Sequence, residues 1–314
     1  MPLSTLELIA ALDTPISIPI VPFVNLEIDY EGHHKNIDYL MDNNHLEGGR
    51  PRVICLAGTS LIHHIGLDDQ VRLMEETARN MAGRGGVLIA GIPPNPISDA
   101  GEVVEAQSRL TNRPDAFLLM PVTGVCDPEG IYQTFMAFAE KYGSAHGARF
   151  LYYMRQSDQI SVAARLVNES PHFVAVKVGT SEADVPPLLS AVKKENGAVI
   201  WGIGDRATGA ARLGTKGHTS GINVVFVKAS DEINNAHRRG DFERAAEVEQ
   251  QISALEDIRF RNGRTYNYSA VVEALKIGGW SDVEGGEGGP FNPRVPPAVA
   301  AEVKQAIDGI LAYH

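Results

Sequence analysis

Arg149 to Tyr153 (RFLYY), Val162 to Asn168 (VAARLVN) and His172 to Lys177 (HFVAVK) form one unit: an apolar run, an amphipathic stretch, a second apolar run. Runs that are apolar on both faces fit strands buried on both sides, as in a parallel sheet clothed by helices. The unit repeats in both directions. Upstream lie Asp115 to Met120 before the helical Pro128 to Lys141, and Gly86 to Gly91 before Ser98 to Leu110. Arg52 to Ala57 precedes Leu67 to Met81, and Ile16 to Phe23 precedes Gly32 to Met41. Downstream, Lys177 leads to the helical Ala183 to Lys194, Ala198 to Ile203 leads to Arg206 to Leu213, and Gly217 to Ile222 leads to Val224 to His237. Strands alternating with helices imply a parallel sheet. Eight such units in roughly 220 residues suit a closed (β/α)8 barrel better than an open doubly wound sheet.

Beyond residue 238 the rhythm changes. Asp241 to Ile258, Ser269 to Ile277 and Pro296 to Leu311 have helical patterns, and the Gly/Pro-rich Gly278 to Pro297 between them is a loop. The expected organisation is a barrel with a short N-terminal helix over 1–238 and a helical extension over 239–314 packed on it. With 314 residues and 44% hydrophobic content, the chain can bury a large core. A net charge of −11 argues against nucleic acid as a partner, although a few local donors can still hold an anionic small molecule. No run of ~18 apolar residues predicts a membrane span, and Met1 to Pro15 reads as a short helix and not a signal peptide. Cys55 and Cys126 sit in apolar surroundings without zinc-ligand spacing and are read as reduced. A cytoplasmic enzyme is the expectation.

Reacting groups in such barrels lie at the C-terminal ends of the strands. Lys177 closes an apolar run there, where burial would favour the neutral, nucleophilic amine. A lysine snorkelling to water, or paired with a buried carboxylate, has the same signature. Tyr152, one strand earlier, could shuttle protons during carbinolamine formation and dehydration, or be a packed core residue. Period-two alternation allows only one of Tyr152 and Tyr153 to face inward. The turn Gly58-Thr59-Ser60 offers hydroxyls and backbone N–H groups suited to a carboxylate. Gly202-Ile203-Gly204 lacks the third glycine of a dinucleotide fingerprint. His63 and His64 are adjacent and lack an i, i+4 partner, so no metal site is read there. His64, Thr123, Arg155 and Asn223 are further candidates to face a substrate.

In their strand order, Lys177, Tyr152 and Gly58-Thr59-Ser60, with the Gly-rich last strand and Asn223, make the chain resemble the dihydrodipicolinate synthase/N-acetylneuraminate lyase family over roughly residues 15 to 300. The resemblance implies a (β/α)8 barrel with C-terminal helices, usually a homotetramer, and here a tetramer or dimer. It implies a Schiff-base aldolase or dehydratase acting on pyruvate or a longer 2-oxo acid, with no cofactor beyond the lysine imine. Lys177 would form the imine, Tyr152 would shuttle protons, and Thr59 and Ser60 would hold the carboxylate. Gly58, Ser220 and Gly221 would line the site.

Three positions depart from the family pattern. Leu61-Ile62 replaces the usual Gly-Glu after the turn, and Pro121-Val122-Thr123 stands where synthases place a relay tyrosine. Ser157 takes the place of the arginine that holds the second substrate's carboxylate, with Arg155 nearby. Gly217 to Gly221, Ile258-Arg259-Phe260-Arg261 and Gly289-Pro290 to Arg294-Val295-Pro296 look more like dehydratases of 2-oxo-3-deoxy sugar acids. The alternatives are dihydrodipicolinate synthase itself, which condenses pyruvate with aspartate semialdehyde, and a catalytically silent 2-oxo-acid-binding barrel. A metal-dependent barrel is a more distant alternative.

Overall fold

The computed structural model describes residues 3–314. Eight parallel strands close into a barrel: β1 (Pro15–Ser17), β2 (Val53–Leu56), β3 (Val87–Ile92), β4 (Ala116–Leu119), β5 (Phe150–Met154), β6 (Phe173–Val178), β7 (Ala198–Trp201) and β8 (His218–Ser220). Closure falls on β1, where Ile16 pairs with both Val53 and Thr219. Helices separate the strands: α1 (Tyr30–Asp42), α2 (Leu67–Met81), α3 (Ile97–Ser108), α4 (Pro128–His146), α5 (Ile160–Glu169), α6 (Val185–Ala191), α7 (Thr208–Leu213) and α8 (Val227–Arg239). The fold is a (β/α)8 barrel followed by α9 (Phe242–Arg264), α10 (Ser269–Gly278) and α11 (Pro297–Asp308). A short helix, Thr5–Ala11, precedes β1 and opens on a capping box between Ser4 and Glu7.

Local chemistry explains the element ends. Asp29 caps α1 by accepting from Gly32 N–H at 3.0 Å, and Asp127 caps α4 by accepting from Gly130 N–H at 2.9 Å. Pro128 sits in the first turn of α4, where a missing N–H costs nothing, and Gly147 ends that helix at φ 65°. The first strand is shorter than the apolar run Ile16 to Phe23 suggests. Pro19 and Pro22 have no N–H to give a ladder, so the barrel strand stops at Ser17. Phe23–Val24 instead pairs antiparallel with Glu27–Ile28 in a hairpin. The expected helix Ala183 to Lys194 divides into a 3-10 turn, Glu182–Asp184, and the seven-residue α6. Within the expected loop Gly278 to Pro297, Gly288–Gly289 pairs with Asn292–Pro293.

The C-terminal helices fold back over the mouth of the barrel. Tyr268 hydroxyl donates to Val21 O at 2.9 Å, and Glu256 of α9 accepts from Asp205 N–H at 3.3 Å, so α9 is tied to the loop after β7. Arg259 and Phe260 are thereby held at the strand C-termini. No helix among the described residues is long and apolar enough to cross a membrane.

Candidate active site

Strand parity and register build the site. Period-two alternation turns Phe173, Ala175 and Lys177 to the barrel interior, and Val174, Val176 and Val178 to the helix layer. Register pairs Tyr153 with Lys177, and Tyr152 with Val176. Tyr153 therefore shares the inward face with the lysine, and Tyr152 lies on the outward face. Lys177 Nζ stands 4.1 Å from the centroid of the Tyr153 ring. Tyr152 points away: its hydroxyl donates to Gln159 Oε1 at 2.9 Å, and its ring meets Phe135 of α4 edge-on. The tyrosine beside the lysine is Tyr153, not the expected Tyr152.

Lys177 is only 6% exposed, and no hydrogen bond or ion pair engages its amine among the described residues. It opens on a cavity of about 60 Å³ lined by Thr59, Tyr153, Thr219, Arg259, Phe260 and Arg264, with Gly58, Gly202, Gly204 and Gly221 as its small walls. The glycines make room. A Cβ on Gly202 would sit 2.9 Å from Lys177 Cε, and one on Gly221 would collide with Arg259 Nη2. A much larger hollow, about 560 Å³, lies at the opposite end of the barrel around Leu88, Asp115 and Arg149, at the starts of the strands and far from the lysine.

Arg155 Nη1 donates to the Tyr153 hydroxyl oxygen at 3.1 Å. That contact uses an oxygen lone pair and leaves the phenolic hydrogen free to be donated. Burial by itself would raise the phenol's pKa. The charges of Lys177, Arg155 and Arg264 and the Arg155 hydrogen bond outweigh it and bring Tyr153 down to about 8. Tyr152 has no cation beside it, and burial pushes its phenol up. Burial also holds the Cys55 thiol up at about 12, so Cys55 stays an inert core residue.

Of the residues singled out from the sequence, Lys177, Gly58, Thr59 and Gly221 line the cavity. Arg155 stands behind Tyr153. Ser60 does not face the cavity; its hydroxyl donates to Pro19 O at 2.8 Å and pins the turn to the segment after β1. Ser220 also faces away, donating to Asp205 Oδ2 at 2.7 Å, and Thr219 takes the inward position on β8. Asn223 is buried and donates to Ser17 Oγ at 2.6 Å, outside the cavity. Thr123 is exposed, its N–H bonded to Asn95 Oδ1 at 3.0 Å. His64 is exposed and meets Phe291 edge-on at 5.1 Å. Arg264 and Asn267 come from beyond the barrel and carry no sequence signal that ties them to β6.

A buried amine beside a phenol at the C-terminal mouth of a (β/α)8 barrel has the placement of an enzyme site in this fold. The chain belongs to the dihydrodipicolinate synthetase family, whose model matches residues 12–288. It is 26% identical over 247 residues to 4-hydroxy-tetrahydrodipicolinate synthase of Aquifex aeolicus, covering 77% of this chain and 80% of that one. It is 24% identical over 253 residues to the enzyme of the same name from Psychrobacter sp., covering 80% and 78%. Its fold is similar to dihydrodipicolinate synthase from Oceanobacillus iheyensis, with a TM-score of 0.86 at 21% identity over 97% of this chain and 98% of that one. The corresponding enzyme of Bacillus clausii gives 0.84 at 22% identity, over 96% and 98%.

Proposed function

We propose that Lys177 forms a Schiff base with pyruvate or a hydroxylated 2-oxo acid, with a 2-oxo-3-deoxy sugar acid as the leading substrate class. The observation that carries this reading is the amine itself: buried, unpaired, and held against Tyr153 by strand register. The amine adds to the C2 carbonyl, and Tyr153 delivers the proton with which the carbinolamine hydroxyl leaves as water. The resulting iminium acidifies C3. Loss of a C3 proton gives an enamine, and a hydroxyl one carbon further on then leaves as water in a dehydratase. In an aldolase the C3–C4 bond breaks instead, with the proton taken from the C4 hydroxyl. The Gly58-Thr59 turn holds the C1 carboxylate through its N–H groups and hydroxyl. No separate cofactor takes part in these steps.

The names of the curated relatives favour a second reading, condensation of pyruvate with aspartate semialdehyde. Against it stands Thr123, exposed and bonded to Asn95, where a synthase would need its relay tyrosine. Borohydride added with pyruvate or a 2-oxo sugar acid should reduce the imine and add the acid's mass at Lys177. No adduct with any 2-oxo acid, or an equal adduct in Lys177→Ala, refutes the imine. Turnover of pyruvate with aspartate semialdehyde at rates above those with sugar acids would select the second reading.

A further inference from the structure

We propose that Arg264 binds a second carboxylate of the substrate, so that the enzyme prefers 2-oxo diacids to 2-oxo monoacids. The inference rests on the Schiff-base reading for the position of the reacting carbon and adds the chemistry of the substrate's far end.

Three arginines surround the Phe260 ring, and their partners differ. Arg206 is paired with Asp257, and Arg259 with Glu256 and the Asn267 side chain. Arg264 lies 5.4 Å from the ring centroid, lines the cavity, and has neither an ion pair nor a side-chain hydrogen bond among the described residues. Nearby Arg261, by contrast, is paired with Glu302 on α11. Arg264 is thus a cation at this mouth with no acid partner among the described residues, in a protein whose net charge is −11; Arg155 also lacks one but donates to the Tyr153 hydroxyl instead.

The backbone is bent to put it there. Helical geometry breaks at Arg261, and Asn262, Gly263 and Arg264 follow at φ 50°, 71° and 78°. Left-handed geometry costs a non-glycine residue energy, and such strain persists where the surroundings enforce it, often at ligand clamps. A continued helix would carry residue 264 a further turn along the α9 axis.

A Lys177 iminium is balanced by the C1 carboxylate on the Gly58-Thr59 turn. Arg155 is already engaged with the acidified Tyr153 hydroxyl. That leaves Arg264, whose planar fork matches a carboxylate in two parallel hydrogen bonds.

The test compares acids of equal chain length: 2-oxoglutarate with 2-oxovalerate, and 2-oxoadipate with 2-oxohexanoate. Calorimetry gives the dissociation constant of each, and borohydride trapping gives the adduct at Lys177. The wild type should favour the diacid by ~10- to 100-fold in at least one pair, as a charge-assisted hydrogen-bond pair implies. Arg264→Met should bring the ratio below ~3, and Arg264→Lys should fall between, since an ammonium keeps the charge but loses the fork. The ratio is taken within one preparation, so a partly unfolded variant does not disturb it. A ratio near 1 in both wild-type pairs, or one that survives Arg264→Met, overturns the inference. Tighter binding of a 2-oxo acid ending in phosphonate overturns the assignment to carboxylate. A diacid preference without any Lys177 adduct supports Arg264 and refutes the imine; an adduct without preference does the reverse.

Discussion

Replacing Tyr153 by Phe should cripple imine formation, and replacing its neighbour Tyr152 by Phe should not. The two residues are adjacent, chemically identical and both buried, at 7% and 2% exposure, so only the face of β5 separates them. Tyr153 loses a hydroxyl whose ring lies 4.1 Å from Lys177 Nζ and whose oxygen accepts from Arg155 at 3.1 Å. A positioned general acid contributes about 10²- to 10⁴-fold, and Tyr153→Phe should lose a factor in that range. Tyr152→Phe forfeits one neutral hydrogen bond to Gln159, worth about 1 kcal/mol of stability, and should slow the reaction by less than about threefold. The assay is the rate of borohydride-trapped pyruvate adduct, followed by intact mass against pH. With Tyr153 at about 8, roughly nine-tenths of the phenol is protonated at pH 7 and roughly one-tenth at pH 9. The proton donor therefore disappears as pH rises, and the wild-type rate should bend downward through this range. Tyr153→Phe should lose that alkaline limb along with its rate. Equal slowing in the two variants, or an alkaline limb unchanged in Tyr153→Phe, refutes the assignment of the proton shuttle to the inward tyrosine.

Two further outcomes test packing, one at the site and one in the helix layer. Gly202→Ala places a methyl 2.5 Å from Val178 O and 2.9 Å from Lys177 Cε, so urea unfolding should show a loss of about 1–3 kcal/mol. Lys177 trapping at saturating pyruvate should fall with it, and an unperturbed adduct rate would show that the lysine tolerates displacement. His33 is fully buried against Thr77, its Nε2 2.7 Å from the Thr77 hydroxyl, and burial with the nearby His34 lowers its pKa to about 3. An unfolded histidine takes up its proton near pH 6.5, and the folded one does not until about 3. This contribution to stability is complete above pH 6.5 and is lost as pH falls toward 3, at a slope approaching ~1.4 kcal/mol per pH unit. His33→Gln should flatten the pH dependence of urea unfolding by about that slope between pH 6 and 4, and an unchanged slope would refute it.

The barrel was legible because its signal is local and repeated. Each apolar run bounded by an amphipathic stretch must bury both faces, and eight of them leave little choice but closure. The position of Lys177 at the end of such a run was equally local, as was the Gly58-Thr59 turn. What the chain order could not supply was parity. RFLYY offers two tyrosines on opposite faces, and HTS on β8 offers Thr219 and Ser220 in the same ambiguity. A one-residue choice sends a side chain to the cavity or to the helix layer, and the register against neighbouring strands makes that choice. Thus Tyr153 pairs with Lys177, while Tyr152 goes to Gln159 and Ser220 to Asp205. Arg264 lies still further from anything local. It is 87 residues beyond Lys177 (264 − 177) and lies past the charge-laced helical segment Asp241 to Ile258, and its place at the mouth depends on α9 folding back and breaking at Arg261. Periodicity and burial of apolar surface determined the barrel and its lysine. Register and the return of the C-terminal helices, which are contacts between distant segments, decided which groups surround that lysine.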